Sequence, residues 1–319
     1  MAAENKKYRL VTRSDIDGLI CAVMLKEMGM IDDITFVHPK DVQDGKIPLT
    51  ERDITTNLPY AEEVYLAFDH HMSETLRLDD IHKRNLIIEP YAASTSRVLY
   101  DYFGGKERFK NVTDEMMIAV DKADSAQFSM EDVLNPKGWV LLGFIMDPRT
   151  GLGRFRTFRI SNYQLMMNLI DYCSVHHNVA DILNLPDVKE RIDLFFEYQV
   201  KFKDQIERCS TVYEDLIVLN LKDEEIIYPG NRFMIYALYP QCNISIHEIW
   251  GLKKQNTVFA IGKSIFNKTS DVNIGELTFK YGGGGHENAG TCQIDNEKAD
   301  EILEELIAHI TKKAPAPFT

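Results

Sequence analysis

The sequence predicts an α/β chain in two parts. An N-terminal region holds a mostly parallel sheet with flanking helices, and a smaller C-terminal region is α+β. Three observations predict this. At 319 residues the chain is too long for one ordinary core. Its first half alternates short apolar runs with stretches of helical spacing. After about residue 210 the texture changes to strands, then to two helices with a glycine run between them.

The elements follow in order. Residues 8–11 are a short apolar run before Ser14-Asp15-Ile16-Asp17-Gly18. Residues 19–28 keep helical spacing without a breaker, and Gly29 stands near their end. Residues 34–37 and 53–56 are strand candidates, stopped by His38-Pro39 and by Asn57-Leu58-Pro59. Residues 64–68 and 86–88 are two more. Residues 93–103 read as a helix ending in Gly104-Gly105. Strands separated by helical segments argue for a parallel sheet covered on both faces. From Asn111 to Ser210 the signals are helical. Asn111-Val112-Thr113-Asp114 starts one helix, with Met116, Met117 and Val120 along one face. Residues 187–208 form a long charged helix, read as a connector, with a surface helix of the first domain as the alternative. Strands are expected at 216–219, 233–238, 258–261 and 291–294, and helices at 274–281 and 299–311. The domain boundaries are therefore 1–186, a helical linker over 187–210, and 211–319. Residues 314–319, APAPFT, read as a frayed tail.

Composition excludes several classes. The chain is 45% apolar and 27% charged, with no apolar run of about 18 residues, so no transmembrane helix or membrane partner is expected. The first residues carry charges but no apolar core, so no signal peptide is expected. Cys21, Cys173, Cys209, Cys242 and Cys292 are scattered and form no CxxC. That favours reduced, buried thiols in a cytoplasm over a disulfide framework or a zinc site. The net charge is −13, and the isoelectric point is about 5.2. Such a field repels long polyanions, so long duplex DNA is not expected. Small phosphorylated ligands or short strands suit it better, because bound divalent cations can dominate a site's charge.

Five stretches could carry chemistry. In an extended segment Asp15 and Asp17 point the same way and could offer two carboxylates at a strand end. The alternative is that Asp17 is an N-cap before a helix, with Gly18 easing the turn. Asp69-His70-His71 ends an apolar run. Carboxylate and imidazole suit Mn²⁺, but three adjacent residues cannot all face one ion from regular strand geometry. Turn chemistry is the alternative. Asp121 and Asp124 sit at the end of a helical segment, where an acid opposes the helix dipole; a cation or plain solvation would relieve it. The run Gly282-Gly283-Gly284-Gly285-His286 could form an anion nest, with His286 donating to a phosphate. The alternative is a flexible linker, which the flanking helix and strand signals weaken. Arg149, Arg154, Arg156 and Arg159 cluster in DPRTGLGRFRTFR and could bind phosphate or pair with surface acids.

In this order the pieces resemble the DHH phosphoesterase superfamily with its DHHA1 C-terminal domain. The resemblance covers nearly the whole chain. SDIDG looks like the family's DxD motif, FDHHMSE its DHH motif, KADSAQF its later aspartate motif, and GGGGHENAGT the DHHA1 GGGH motif. The stretch GKSIFNKTSDVNIGEL is most like the proteins labelled exopolyphosphatase-related. The resemblance implies that Asp15, Asp17, Asn57, Asp69, His70 and Asp124 surround one or two Mn²⁺ ions, with Mg²⁺ as the other candidate. It implies that His71 contacts substrate phosphate, with Asp69 orienting an imidazole. It implies that Gly283, Gly284, Gly285, His286 and Arg154 grip the substrate's phosphate, in a cleft between the domains.

Two positions depart from the pattern. Val11 stands where many members have a histidine. Asn57 stands where the family's second motif usually supplies an aspartate, and an amide is a poorer metal bridge. The implied activity is metal-dependent hydrolysis of a phosphoester in a nucleotide or short oligonucleotide, with polyphosphate as a further substrate candidate. The alternative is a nucleotide-binding regulatory protein whose catalysis is weakened. A second copy of the chain is a candidate partner.

Overall fold

The computed structural model describes residues 6–312 except Asp79 and Arg156, and for Leu76 the backbone alone. Arg156 and the 314–319 tail thus lie outside the described residues. The chain divides into two compact units, Met1–Phe195 and Phe196–Thr319.

In chain order the first unit contains β1 (Tyr8–Thr12), α1 (Ile16–Glu27), β2 (Ile31–Phe36), α2 (Pro39–Gln43), β3 (Asp53–Thr56), β4 (Leu66–Asp69), α3 (Met72–Arg77), β5 (Leu86–Ile88) and α4 (Thr95–Tyr102). The helices α5 (Asp114–Asp124), α6 (Met130–Leu134), α7 (Gly138–Met146), α8 (Asn162–Cys173) and α9 (Val179–Leu183) follow. The division into units falls inside α10 (Pro186–Cys209).

The five strands form a sheet of order β2-β1-β3-β4-β5. Every pairing is parallel. A parallel sheet needs cover on both faces, and side chains alternate to provide it. Leu10, Ile54 and Phe68 enter the main core, whereas Ala67 and Leu86 join Val64 in a smaller cluster with Leu49 and Tyr60. The helix α1 is buried continuously from Ile16 to Leu25, because α4, α5 and α8 all pack on it. An apolar helix without a polar stripe belongs in the interior. Because the strands are parallel, their carboxyl ends share one edge. Strand order reverses direction at β1, so the segments after β1 and β3 diverge and open a crevice there.

The second unit contains β6 (Ser210–Tyr213), β7 (Leu216–Asn220), α11 (Met234–Leu238), β8 (Ile244–Trp250), β9 (Thr257–Lys263), α12 (Ile274–Phe279), β10 (Gly284–His286), β11 (Ala289–Ile294) and α13 (Ala299–Ile310). Its sheet runs β10-β11-β9-β8-β7-β6. Only the β7–β8 pairing is parallel among these. Leu216, Ile244, Ile246, Phe259 and Ile261 pack against Ile274, Leu277 and Leu306.

One expected strand is a helix. Residues 233–238 begin with an Asx turn, in which Phe233 N donates to Asn231 Oδ1 at 3.0 Å, and then coil into α11. A short apolar run cannot distinguish the two states by periodicity. The strand β8, central in the sheet, was not expected, because His247 and Glu248 interrupt its apolar pattern. Among the described residues no helix is long and apolar enough to cross a membrane.

Candidate active site

The site begins where β1 ends. Asp15 is the N-cap of α1, and its Oδ1 accepts from Gly18 N at 3.0 Å. Gly18 is required there, since a Cβ would meet Arg13 O at 2.0 Å. Arg13 Nε lies 3.2 Å from Asp15 Oδ2. Asp17 lies in the first turn of the helix rather than at its N-cap, and is 1% exposed. Its carboxylate accepts from Thr95 N at 3.2 Å and Ser96 N at 2.7 Å, which places an anion on the N-terminus of α4. Ser94 caps that helix and donates to Asp121 Oδ1 at 2.7 Å, and Arg97 Nη2 grips Asp121 Oδ2 at 2.6 Å.

Asn57 follows β3 in the left-handed region, φ +57°. Asparagine tolerates that conformation better than most residues. The turn aims its side chain at β1's loop. Nδ2 donates to Asp17 Oδ2 at 2.9 Å, and Oδ1 accepts from Arg13 Nη1 at 3.4 Å. The opposite amide orientation would set oxygen against carboxylate and NH₂ against guanidinium. The oxygen a metal would need therefore faces Arg13.

The strand β4 ends on Asp69, which is 2% exposed. Its Oδ1 accepts from His71 Nδ1 at 2.7 Å, and Oδ2 is buried without a partner. His71 is half-exposed and N-caps α3 by position only. His70 Nδ1 donates to Ala92 O at 3.0 Å, which fixes the ring and leaves Nε2 facing inward. Nε2 approaches Asp124 Oδ2 at 2.6 Å, yet both atoms are buried and neither makes an aligned hydrogen bond. A neutral imidazole with Nδ1 protonated turns a lone pair toward a carboxylate there. Such a contact needs a cation, either a second proton or a metal.

The electrostatics agree. Burial pushes Asp17 up to about 7, and Asp124 and Asp15 add repulsion. Asp15 also rises through burial. For Asp124, burial is outweighed by His70, which holds the carboxyl below its ordinary value. Burial likewise opposes protonation of His70, but Asp124 prevails and lifts it to about 9. Burial opposes protonation of His71 too, and Asp69 lifts it. Arg13 and Arg149 temper the cluster: both act on Asp15, Arg13 also acts on Asp124, and Asp124 in turn acts on Arg149.

Among the described residues no three His, Cys, Asp or Glu side chains already stand as a ready coordination set. The donor chemistry nevertheless fits a hard or borderline divalent cation. Carboxylates and one imidazole converge, and Asp69 Oδ2, His70 Nε2 and Asp124 Oδ2 are buried without hydrogen bonds.

The other expected residues belong to other segments. Arg154 folds back over Gly151, and Arg159 Nε pairs with Asp187 Oδ1 at 3.2 Å. Arg149, held by Asp147 at 2.8 Å, has a charge that reaches the carboxylates. Gly283, Gly284, Gly285 and His286 belong to the second unit, where β10 pairs antiparallel with β11. A Cβ on Gly283 would meet Thr291 O at 2.1 Å, and one on Gly285 would meet Ala289 O at 2.3 Å. At Gly284 a Cβ meets open space. His286 Nδ1 accepts from Asn288 N at 3.3 Å. Arg13 and the Ser94–Ser96 turn were not singled out from sequence. The available signals were that Arg13 precedes Asp15 by two residues on an extended segment, and that Ser94 opens a helix.

The fold and this cluster define a DHH-type phosphoesterase, a hydrolase, and the comparisons place the chain in that class. No family model matches the sequence. A solved pGpG-specific phosphodiesterase, PggH from Vibrio cholerae, is 58% identical; the alignment covers 97% of this chain and 100% of that one, with a TM-score of 0.86. The chain belongs to the DHH phosphoesterase superfamily. RecJ from Thermus thermophilus, solved with Mn²⁺, shares the fold at 12% identity and a TM-score of 0.53, over 98% of this chain and 53% of that one. An A-adding tRNA nucleotidyltransferase of Aquifex aeolicus is 28% identical over 117 residues, or 34% of this chain and 14% of its own length. The chain thus spans a small part of that curated relative.

Proposed function

We propose that the chain is a divalent-metal-dependent phosphodiesterase that hydrolyses the 5′-phosphorylated dinucleotide pGpG. The observation that carries this reading is the 58% identity, over 97% of the chain, to a phosphodiesterase specific for pGpG. The site chemistry supports it. Asp15, Asp17, Asp69, His70 and Asp124 would hold Mn²⁺ or Mg²⁺. When bound, the cation would neutralise phosphoryl oxygens and make a coordinated water acidic.

The remaining roles fall to side chains. Asn57 donates to Asp17 and keeps that carboxylate aimed while it shares its charge with the helix N-terminus. Ala92 O holds the His70 proton on Nδ1, so Nε2 stays available as a ligand. His71 is held through Nδ1 by Asp69 and presents a cationic imidazole to substrate phosphate. Arg13 and Arg149 offset the carboxylates, which would otherwise repel a polyanionic substrate. His286 and the open position at Gly284 suit contact with a terminal phosphate or nucleotide. A cytoplasmic setting suits five unpaired cysteines.

The test is product release from a panel: pGpG, other 5′-phosphorylated dinucleotides, a 3′,5′-bisphosphorylated nucleotide, a cyclic dinucleotide and polyphosphate. Each is assayed with Mn²⁺, with Mg²⁺ and with chelator. The expected result is metal-dependent conversion of pGpG to mononucleotide in preference to the others. Binding of pGpG without turnover in any metal would instead favour the regulatory binder.

A further inference from the structure

Among the described residues Tyr91 is the most exposed large apolar side chain, at 93%; Leu252 at 76% and Phe279 at 75% come next. No hydrogen bond, ring contact or cation joins it to another described residue. Single exposed aromatics are ordinary. This one is distinguished by its place.

The turn over residues 89–92 is closed by Ala92 N donating to Glu89 O at 2.9 Å. Glu89 N donates to Asp69 O at 3.2 Å, and Ala92 O accepts from His70 Nδ1 at 3.0 Å. Both ends of the turn are therefore fastened to the strand end that carries the histidines. Tyr91 carries a bare ring on a backbone that is hydrogen-bonded to the strand end bearing Asp69 and His70. A nucleobase lies one ribose from its phosphate, and Tyr91 lies one residue from the carbonyl that holds His70. An aromatic face on a rigid support is what an unpaired base stacks on, and stacking tolerates any base because each has a π-face.

We propose that Tyr91 is the stacking platform for a purine base of the dinucleotide, which makes it a substrate-binding residue; this rests on the phosphodiesterase reading above. The aromatic ring, rather than the hydroxyl, makes the contact. Purines, with the larger π-surface, gain more than pyrimidines.

The test compares wild type with Tyr91→Ala, Tyr91→Phe and Tyr91→Trp on pGpG and on a 5′-phosphorylated dinucleotide with two abasic sugars. Tyr91→Ala is expected to raise KM for pGpG about tenfold and to leave kcat within about twofold. Tyr91→Phe and Tyr91→Trp should retain the wild-type KM. The abasic compound should not distinguish the four proteins. Calorimetric binding of pGpG in Ca²⁺ reads the same contact without turnover. Tighter binding by wild type than by Tyr91→Ala in Ca²⁺, with no hydrolysis by either in Mn²⁺ or Mg²⁺, would uphold Tyr91 and overturn the phosphodiesterase reading. Hydrolysis with an unchanged KM, or an equal loss on the abasic compound, would overturn Tyr91 alone. Absence of pGpG binding to wild type would overturn both.

Discussion

Two histidine motifs mark this chain, and their surroundings differ. At the end of β4 the polar atoms of Asp69 and His70 are buried, and the neighbouring acids press on one another electrostatically. At β10 the histidine and its glycines are exposed, and the glycines answer to steric contact with β11. The first motif is organised by charge and the second by space. Motifs that read alike as punctuation in a sequence can thus owe their residues to different physics. Changing a side chain at β4 should cost function, and adding a Cβ at Gly283 or Gly285 should first cost stability.

The largest expected effect is at the first motif. His70→Ala or Asp124→Asn should lower turnover at least about a hundredfold and reduce bound Mn²⁺, because each removes a donor from the buried set. His71→Ala should lower turnover but leave metal content intact. Metal analysis of the purified variants checks this, and equal metal loss in all three would erase the distinction drawn between the histidines.

At the second motif, Gly285→Ala should destabilise the protein by about 2 kcal/mol, since its Cβ meets Ala289 O at 2.3 Å. Denaturant unfolding reads this, and metal content should not change. The second unit also holds a histidine with no charge partner to lift it. Burial alone lowers His247 on β8 from 6.5 to about 4. Both states are neutral above pH 6.5. As the pH falls from there to about 4, the unfolded chain takes up the proton first, so stability should drop by about 2 kcal/mol over that window. His247→Gln should flatten that part of the stability–pH curve.

Asn57→Asp sharpens the contrast by adding charge where charge already governs. It replaces a donor to Asp17 with a second carboxylate, so the metal-free protein should lose about 1 kcal/mol. Mn²⁺ should raise Tm more than in wild type. A Tm unchanged in chelator would mean that the Asn57–Asp17 bond carries little. The smallest effect belongs to Gly284→Ala, where a Cβ meets open space; its stability should stay within about 0.5 kcal/mol of wild type.

Much of this was legible in the sequence, for identifiable reasons. Parallel strands and α1 announce themselves because both faces of the sheet must be apolar and α1 is buried all round. The carboxylates at Asp15, Asp17 and Asp124 stand at element boundaries that caps and periodicity mark. What stayed hidden depends on tertiary partners. Residues 233–238 fit strand and helix equally well until Asn231 starts a turn. The strand β8 hides its register behind His247 and Glu248. Arginine spacing favours no member of the 149–159 cluster, and only the fold sets Arg149 against the carboxylates. The role of Asn57 as a donor to Asp17 depends on a left-handed turn 40 residues away in sequence.

The most direct test of the central claim pairs two readings on the same samples: hydrolysis of pGpG, and bound Mn²⁺ after desalting, for wild type and His70→Ala. Wild type should bind metal and release mononucleotide only in its presence, and His70→Ala should lose both together. Full pGpG turnover by His70→Ala, or by wild type in chelator, would contradict a metal-dependent site built on the end of β4.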